Sequence, residues 1–371
     1  MTIRDIFVQF GPEYIERFRS AIPRNHLKVM DAIVSCRTSA CGATVYQCTQ
    51  CGEIHHVFRS CGNRHCPNCQ HQKTLEWMNR QAERQVPGHH FMITFTVPEQ
   101  IRFFIRSNQR AAYNALFKAS SEAMKKLTPD EKYMGGDMPG FFAVLHTWGR
   151  QMQYHPHIHY LAPGGAFSTV DGKWHASPEN FYLPVRALSR IYRAKFRDLM
   201  KSAGLVDRIS PDVWKLDWNV NIQAVGTARQ TIKYLAPYVF KVAISDHRIV
   251  KVEGRTVTIR YRKTGSNRDR TMNMDAMEFI RRFLQHVLPT GFMKIRYYGF
   301  MSPNASVSLD RIRGLIELGN GFDSENLEQI NMPEPEPLYC SSCGGKLRYV
   351  CSLFPAKFHH QETTRKSFLP D

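Results

Sequence analysis

His157 and His159 flank a single isoleucine in the run Tyr154-His155-Pro156-His157-Ile158-His159-Tyr160-Leu161. Successive side chains of a β-strand point to opposite faces, so both imidazoles face one way and Ile158 the other. Two imidazoles held like this can share one divalent cation and leave positions open for a substrate. Pro156 cannot donate to a strand ladder, so the strand proper is expected to begin after it, with His155 on the preceding turn.

A second candidate is Gln230-Thr231-Ile232-Lys233-Tyr234-Leu235-Ala236-Pro237-Tyr238, which follows strand-like residues and opens as a helix. Tyrosines four apart lie on one helix face. A phenol is a poor nucleophile at its ordinary pKa of about 10. Beside a cation that polarises a phosphodiester, it can attack phosphorus and form a phosphotyrosine. Pro237 disfavours a continuous helix, so Tyr238 is expected past a kink.

The cysteines suggest structural metal. Cys48-Thr-Gln-Cys51 and Cys66-Pro-Asn-Cys69 are C-x2-C knuckles separated by 14 residues, a spacing that suits one tetrahedral four-thiolate zinc. Cys36, Cys61 and His65 could hold a second zinc. Cys340-Ser-Ser-Cys343 could start a third, with Cys351, His359 and His360 as partners. Arg37, Arg59, Arg64 and Lys73 around the first cluster would suit DNA contact.

These residues need a scaffold. Strand signals occur at 89–97, 141–148, 157–163, 219–225, 255–263 and 293–300, and helix signals at 108–127, 185–203, 227–236 and 274–287. The pattern predicts an α+β domain, a sheet covered by helices on one or both faces. Residues 1–30 read as a helical lead-in, 31–87 as a zinc-binding DNA-contact domain and 88–300 as the domain of the histidines and tyrosines. Residues 301–371 read as an acidic linker and a small cysteine-containing end.

The 371 residues carry a net charge of +18, unevenly spread. Residues 1–87 have 11 basic and 7 acidic side chains, 88–300 have 32 and 16, and 301–371 have 7 and 9. Such a central excess favours a polyanion, most often nucleic acid. Arg260, Arg262 and Lys263, just after the tyrosine segment, are the expected grip on the DNA backbone. No apolar run is long enough to span a membrane. The first residues place acids among apolars and have no small-residue cleavage site, so a reducing cytosolic compartment is expected. No G-x4-G-K-[ST] loop marks an ATP site.

The ordered set SCGNRHCPNCQ, HTWGRQMQYHPHIHYLAPGG, KYLAPYVFKVAISDHRI, GFMKIRYYGF and CSSCGG resembles the HUH-type, two-tyrosine rolling-circle transposases of the insertion-sequence ninety-one group. The resemblance covers about residues 30–345. It implies an HUH endonuclease fold, an antiparallel-centred sheet with flanking helices. His157 and His159 would bind Mg²⁺ or Mn²⁺ with a third polar ligand, for which Gln230 and His146 are candidates. Tyr234 and Tyr238 would be the nucleophile pair, cutting and rejoining single-stranded DNA of element ends and target. The cysteine cluster would be the family's zinc-binding DNA-contact domain, in a bacterial cytosolic protein associated with the nucleoid. Two other readings stay open on residues alone. With His155 included, His-x-His-x-His matches histidine-triad nucleotide hydrolases, which need no metal. A non-catalytic zinc-containing DNA-binding protein would also fit.

Overall fold

A computed structural model describes residues 1–226, 231–233, 235–236, 239, 243–263, 265–320 and 337–355. The chain opens with α1 (Ile3–Phe18) and α2 (Arg24–Ser35), followed by β1 (Ala43–Cys48), β2 (Ile54–Phe58) and α3 (His71–Glu83). Next come β3 (His90–Thr96), α4 (Arg102–Ser107), α5 (Gln109–Leu127), β4 (Met138–Pro139), β5 (Phe141–Trp148) and β6 (Tyr154–Pro163). They lead into β7 (Gly165–Phe167), β8 (Trp174–Ala176), α6 (Val185–Ser202) and β9 (Val220–Ala224). The remainder is β10 (Ile249–Glu253), β11 (Thr256–Arg262), β12 (Asp269–Asp275), α7 (Ala276–Leu284), β13 (Ile295–Tyr298), α8 (Leu309–Asn320) and β14 (Leu347–Leu353).

The central sheet has the order β13-β5-β6-β3-β9 and every pairing in it is antiparallel. Its strands are rich in Phe, Ile, Val and Tyr, which pack well on a pleated surface. One face carries Phe91, Ile93, Phe95, Phe141, Ala143, Leu145, Ile158 and Tyr160 against α5 and α6. The other carries Phe142, Val144 and Leu161 against Trp77 of α3, Ile312 and Ile316 of α8, and Ile232, Leu235, Ala236 and Val239. The described residues of 231–239 are helical, and those four apolar positions share one helix face. Helices thus cover both faces of an antiparallel sheet, as the α+β reading expected.

A second core joins the N-terminal helices to residues 243–287. Thr2 caps α1 through a capping box with Asp5, and Ile3, Ile6, Phe7, Phe10 and Tyr14 then recur at helical spacing. They pack on α2, on α7 and on Val257 and Ile259 of the β10–β11–β12 sheet. Asp275 caps α7 by accepting from the Met277 N–H. β14 lies against β1, which also pairs with β2, so one small sheet joins residues about 300 positions apart.

One strand boundary differs from expectation. β6 begins at Tyr154, so His155 and Pro156 lie inside it and not on a turn. Pro156 is tolerated for a local reason. The β5 ladder is irregular between His146 and Trp148, and β3 pairing stops at His157. Neither neighbour needs the missing N–H. Among the described residues no helix is long and apolar enough to cross a membrane.

Ile158 is fully buried between the two histidines. Ile158→Ala should cost about 2–5 kcal/mol, read as a lower urea midpoint at unchanged m-value.

Candidate functional site

The β5–β6 register sets His146 opposite His157 and Val144 opposite His159. Alternation then turns His146, His157 and His159 to the sheet face that also carries Phe142, Val144 and Leu161. Their ring centroids lie 4.5–5.2 Å apart, and one nitrogen from each lies within 4.8 Å of the others. His146 and His159 are buried, while His157 is half-buried. The His157 Nδ1–H donates to the His155 carbonyl at 2.6 Å, which turns Nε2 towards the group. Thr94, opposite His159 on β3, places its Oγ1 2.9 Å from His159 Nδ1. Such outer contacts orient metal-binding imidazoles.

Burial, with smaller contributions from neighbouring imidazoles, pushes His146 and His157 well below the usual histidine range and His159 down to about 4. All three are therefore neutral near pH 7, each with a lone pair to offer a cation. His155 lies on the same strand, its ring 5.0 Å from His157, but outside the close group. The third imidazole of the constellation comes from the neighbouring strand, not from the His-x-His-x-His run.

These rings open into a groove of about 930 Å³ lined by Arg102, Arg150, Arg248, Arg260, Arg262 and Lys263. Asp269 is the acidic residue of its lining, and it pairs with Arg262 at 2.5 Å. The three basic residues expected to hold DNA are thus in the same groove as the histidines. The groove's far wall, β11, is fastened by main-chain contacts. Arg248 donates to the Arg260 and Arg150 carbonyls, and Arg150 donates to the Lys263 carbonyl at 3.0 Å. Trp148 stacks on His146 at 5.3 Å, and the Lys294 ammonium lies 5.6 Å from the Trp148 ring centre. Burial pulls Lys294 down to about 7. Sequence reading missed Thr94, Arg102, Arg150, Arg248 and Lys294, because nothing local marks a residue that the fold brings to or beside the groove.

The cysteines are grouped differently from the spacing argument. Cys48 and Cys51 do not meet Cys66 and Cys69. One group is Cys36, Cys61, Cys66 and Cys69, and the other is Cys48, Cys51, Cys340 and Cys343. The β1–β2 hairpin explains the correction. Cys48 stands at its tip, whereas residues 61–69 follow Phe58, which pairs with Ala43 at the opposite end. Six strand residues separate those ends by about 17 Å, too far to share an ion. Cys36, just before β1, is at the same end as Cys61. His65 is not grouped with them, and its Nε2 accepts the Leu288 N–H at 3.2 Å. Cys340 and Cys343 find Cys48 and Cys51, while Cys351 lies along β14 outside both groups. Arg64 is also turned inward, donating to the Pro289 and Phe292 carbonyls. Tyr234, Tyr238, Gln230, His359 and His360 lie outside the described residues.

Residues 6–97 match a family model described as "Transposase zinc-binding domain", and residues 140–308 match one described as "Putative transposase". The chain is 35% identical to "Putative transposase y4qJ" of Sinorhizobium fredii (strain NBRC 101917 / NGR234), over 81% of this chain and 80% of that protein. The chain belongs to the insertion-sequence ninety-one family of transposases. It is also 24% identical to "Transposase for insertion sequence element IS801" of Pseudomonas savastanoi pv. phaseolicola, over 88% of this chain and 84% of that protein. No solved structure gives a significant match.

As a transposase the chain is a DNA-processing enzyme, and its antiparallel sheet with helices on both faces agrees with an HUH-type architecture. The zinc-binding match spans the Cys36–Cys69 group, whose Cys61 and Cys69 sulfurs are 3.7 Å apart. A Zn–S bond of about 2.3 Å places tetrahedral sulfurs about 3.8 Å apart, so this group fits structural zinc.

The turn leading from His146 into β6 is held by His286. Its Nε2–H donates to the Met152 carbonyl, its Nδ1 lies 3.2 Å from the Thr147 hydroxyl, and burial pulls it down to about 3. A histidine held neutral in the fold and titrating near 6.5 when unfolded stabilises fully above that pH, and this contribution is lost in acid. Between pH 7.5 and 5 the transposase should lose about 2 kcal/mol more stability than its His286→Gln variant, measured by urea unfolding.

Proposed function

We propose that this transposase nicks and rejoins single-stranded DNA at the ends of its insertion element through a 5′-phosphotyrosine intermediate, in rolling-circle transposition. The carrying observation is the groove itself, where three close imidazoles meet six cationic side chains in one cleft. Three neutral imidazoles fit a divalent cation, and Mn²⁺ suits nitrogen donors better than Mg²⁺. His146, His157 and His159 would hold it, and when bound it would polarise the scissile phosphate.

The chain's own residues supply the rest. Arg260, Arg262 and Lys263 neutralise the DNA backbone along the groove and position it without reading sequence. Tyr234 or Tyr238 attacks phosphorus through its phenol oxygen. The new O–P bond replaces the bond to the 3′-oxygen, which leaves and takes up a proton as a free 3′-OH. The other tyrosine repeats the attack on a second strand. Each step exchanges one phosphodiester for another, so the transfer needs no ATP. Packing of Ile232, Leu235, Ala236 and Val239 on the histidine-bearing sheet face supports this assignment of the tyrosine segment. In this reading residues 88–300 are the nuclease region, and residues 31–87, with zinc on Cys36, Cys61, Cys66 and Cys69, contact DNA.

Incubation with single-stranded element-end DNA and Mn²⁺ should yield a covalent protein–DNA adduct on a denaturing gel, absent with EDTA. Tyr234→Phe and Tyr238→Phe together should abolish it, and an adduct that survives both would overturn the proposal. Alanine at Arg260, Arg262 and Lys263 should weaken binding to all sequences. It should also flatten the salt dependence by about 0.7 in log–log slope for each phosphate no longer neutralised.

A further inference from the structure

The family's zinc-binding region ends at residue 97, yet Cys48 and Cys51 inside it face Cys340 and Cys343 far outside it. The Cys48–Cys343 sulfurs are 3.4 Å apart and the Cys51–Cys340 sulfurs 3.7 Å. All four are free thiols. A disulfide needs about 2.05 Å, whereas sulfurs at the corners of a tetrahedral zinc site stand about 3.8 Å apart.

The two knuckles share a backbone plan. In Cys48-Thr-Gln-Cys51-Gly52 the Gly52 N–H donates to the Cys48 carbonyl at 3.2 Å, and the Cys48 N–H donates to the Glu53 carbonyl at 2.8 Å. In Cys340-Ser-Ser-Cys343-Gly344 the Gly344 N–H donates to the Cys340 carbonyl at 2.9 Å, and the Cys340 N–H to the Gly345 carbonyl at 2.8 Å. Gly52 and Gly344 adopt φ of +77° and +74°, which a side chain would strain. A Cβ on Gly345 would lie 2.9 Å from the Cys48 sulfur, so a glycine is needed for the knuckles to close. Outer contacts complete the arrangement. The Gln50 and Cys51 N–H groups point at the Cys48 sulfur at 3.4 and 3.5 Å, and His55 Nε2 lies 3.2 Å from the Cys340 sulfur. Main-chain donors aimed at the Cys48 sulfur are what a metal-bound thiolate requires.

We propose that Cys48, Cys51, Cys340 and Cys343 form a second, closed zinc site that clasps the late segment 340–353 onto the N-terminal region. The ion joins cysteines 289–295 positions apart, and β14 then extends the β1–β2 sheet from the same end. With four thiolate ligands it has no open position, so its role is structural. It makes the third strand of that sheet conditional on metal.

Native mass spectrometry of the full chain should find two zinc ions per molecule. Cys340→Ser/Cys343→Ser should retain one, as should Cys66→Ser/Cys69→Ser. Hydrogen exchange in the Cys340→Ser/Cys343→Ser chain should accelerate at residues 43–48 and 347–353 while 90–96 stay protected. Should a variant fail to fold, cobalt titration of the wild-type apoprotein decides, with two equivalents expected to develop thiolate-to-cobalt charge transfer. A wild-type chain with one metal would overturn the proposal. So would a Cys340→Ser/Cys343→Ser chain with two, or unchanged exchange at 43–48.

Discussion

Ile158 and Tyr160 enter the core on one face of β6, and His157 and His159 must therefore leave on the other. Both core side chains are fully buried, and the Tyr160 hydroxyl is bound at 2.6 Å to Ser120 of α5. Side chains of this size favour burial by about 1.5–3 kcal/mol each. A one-residue slip would drive imidazoles into the apolar core and expose Ile158 and Tyr160 in the groove. The same alternation on β5 buries Leu145 and turns His146 beside His157. Ordinary core packing thus holds the imidazole geometry, and the site adds little of its own beyond Thr94 and the His155 carbonyl.

Imidazoles among six cations would be a costly arrangement if they were charged. Burial resolves this by keeping them unprotonated, so the groove's positive charge comes from arginine and lysine alone. Those cations arrive from four places in the chain, at 102, 150, 248 and 260–263. Arg150 and Arg248 do two things at once, since their donors hold the β11 main chain while their charge stays in the groove. The central excess of basic residues is in part a property of this cleft.

The N-terminal region meets distant segments twice. α1 packs on α7 in the second core, and β14 packs on β1 beside a thiolate cluster. The long separation makes both contacts entropically costly to form, which is why a large apolar surface secures one and a metal suits the other.

Much was legible without a fold. Hydrophobic alternation marked β3, β5 and the inner part of β6 because period two is a local property. The same-face placement of His157 and His159 followed from that alone. The α+β class was legible for similar reasons, as were the cysteine knuckles and the central positive charge. Motif order indicated the family. The partners of each element were not. C-x2-C spacing shapes one knuckle but not the choice of its mate, and a hairpin of about 17 Å sent Cys48 to Cys343 instead of to Cys66. His146, one of the two candidates raised by the family resemblance, joined the histidines through strand register, and His65 and Arg64 were taken inward by carbonyl and amide groups more than 220 positions away. The sequence by itself determined which residues can bind metal, meet phosphate or lie on one strand face. Only the tertiary structure decided which of them stand together, because pairing across long loops depends on registers and packed faces that no local pattern encodes.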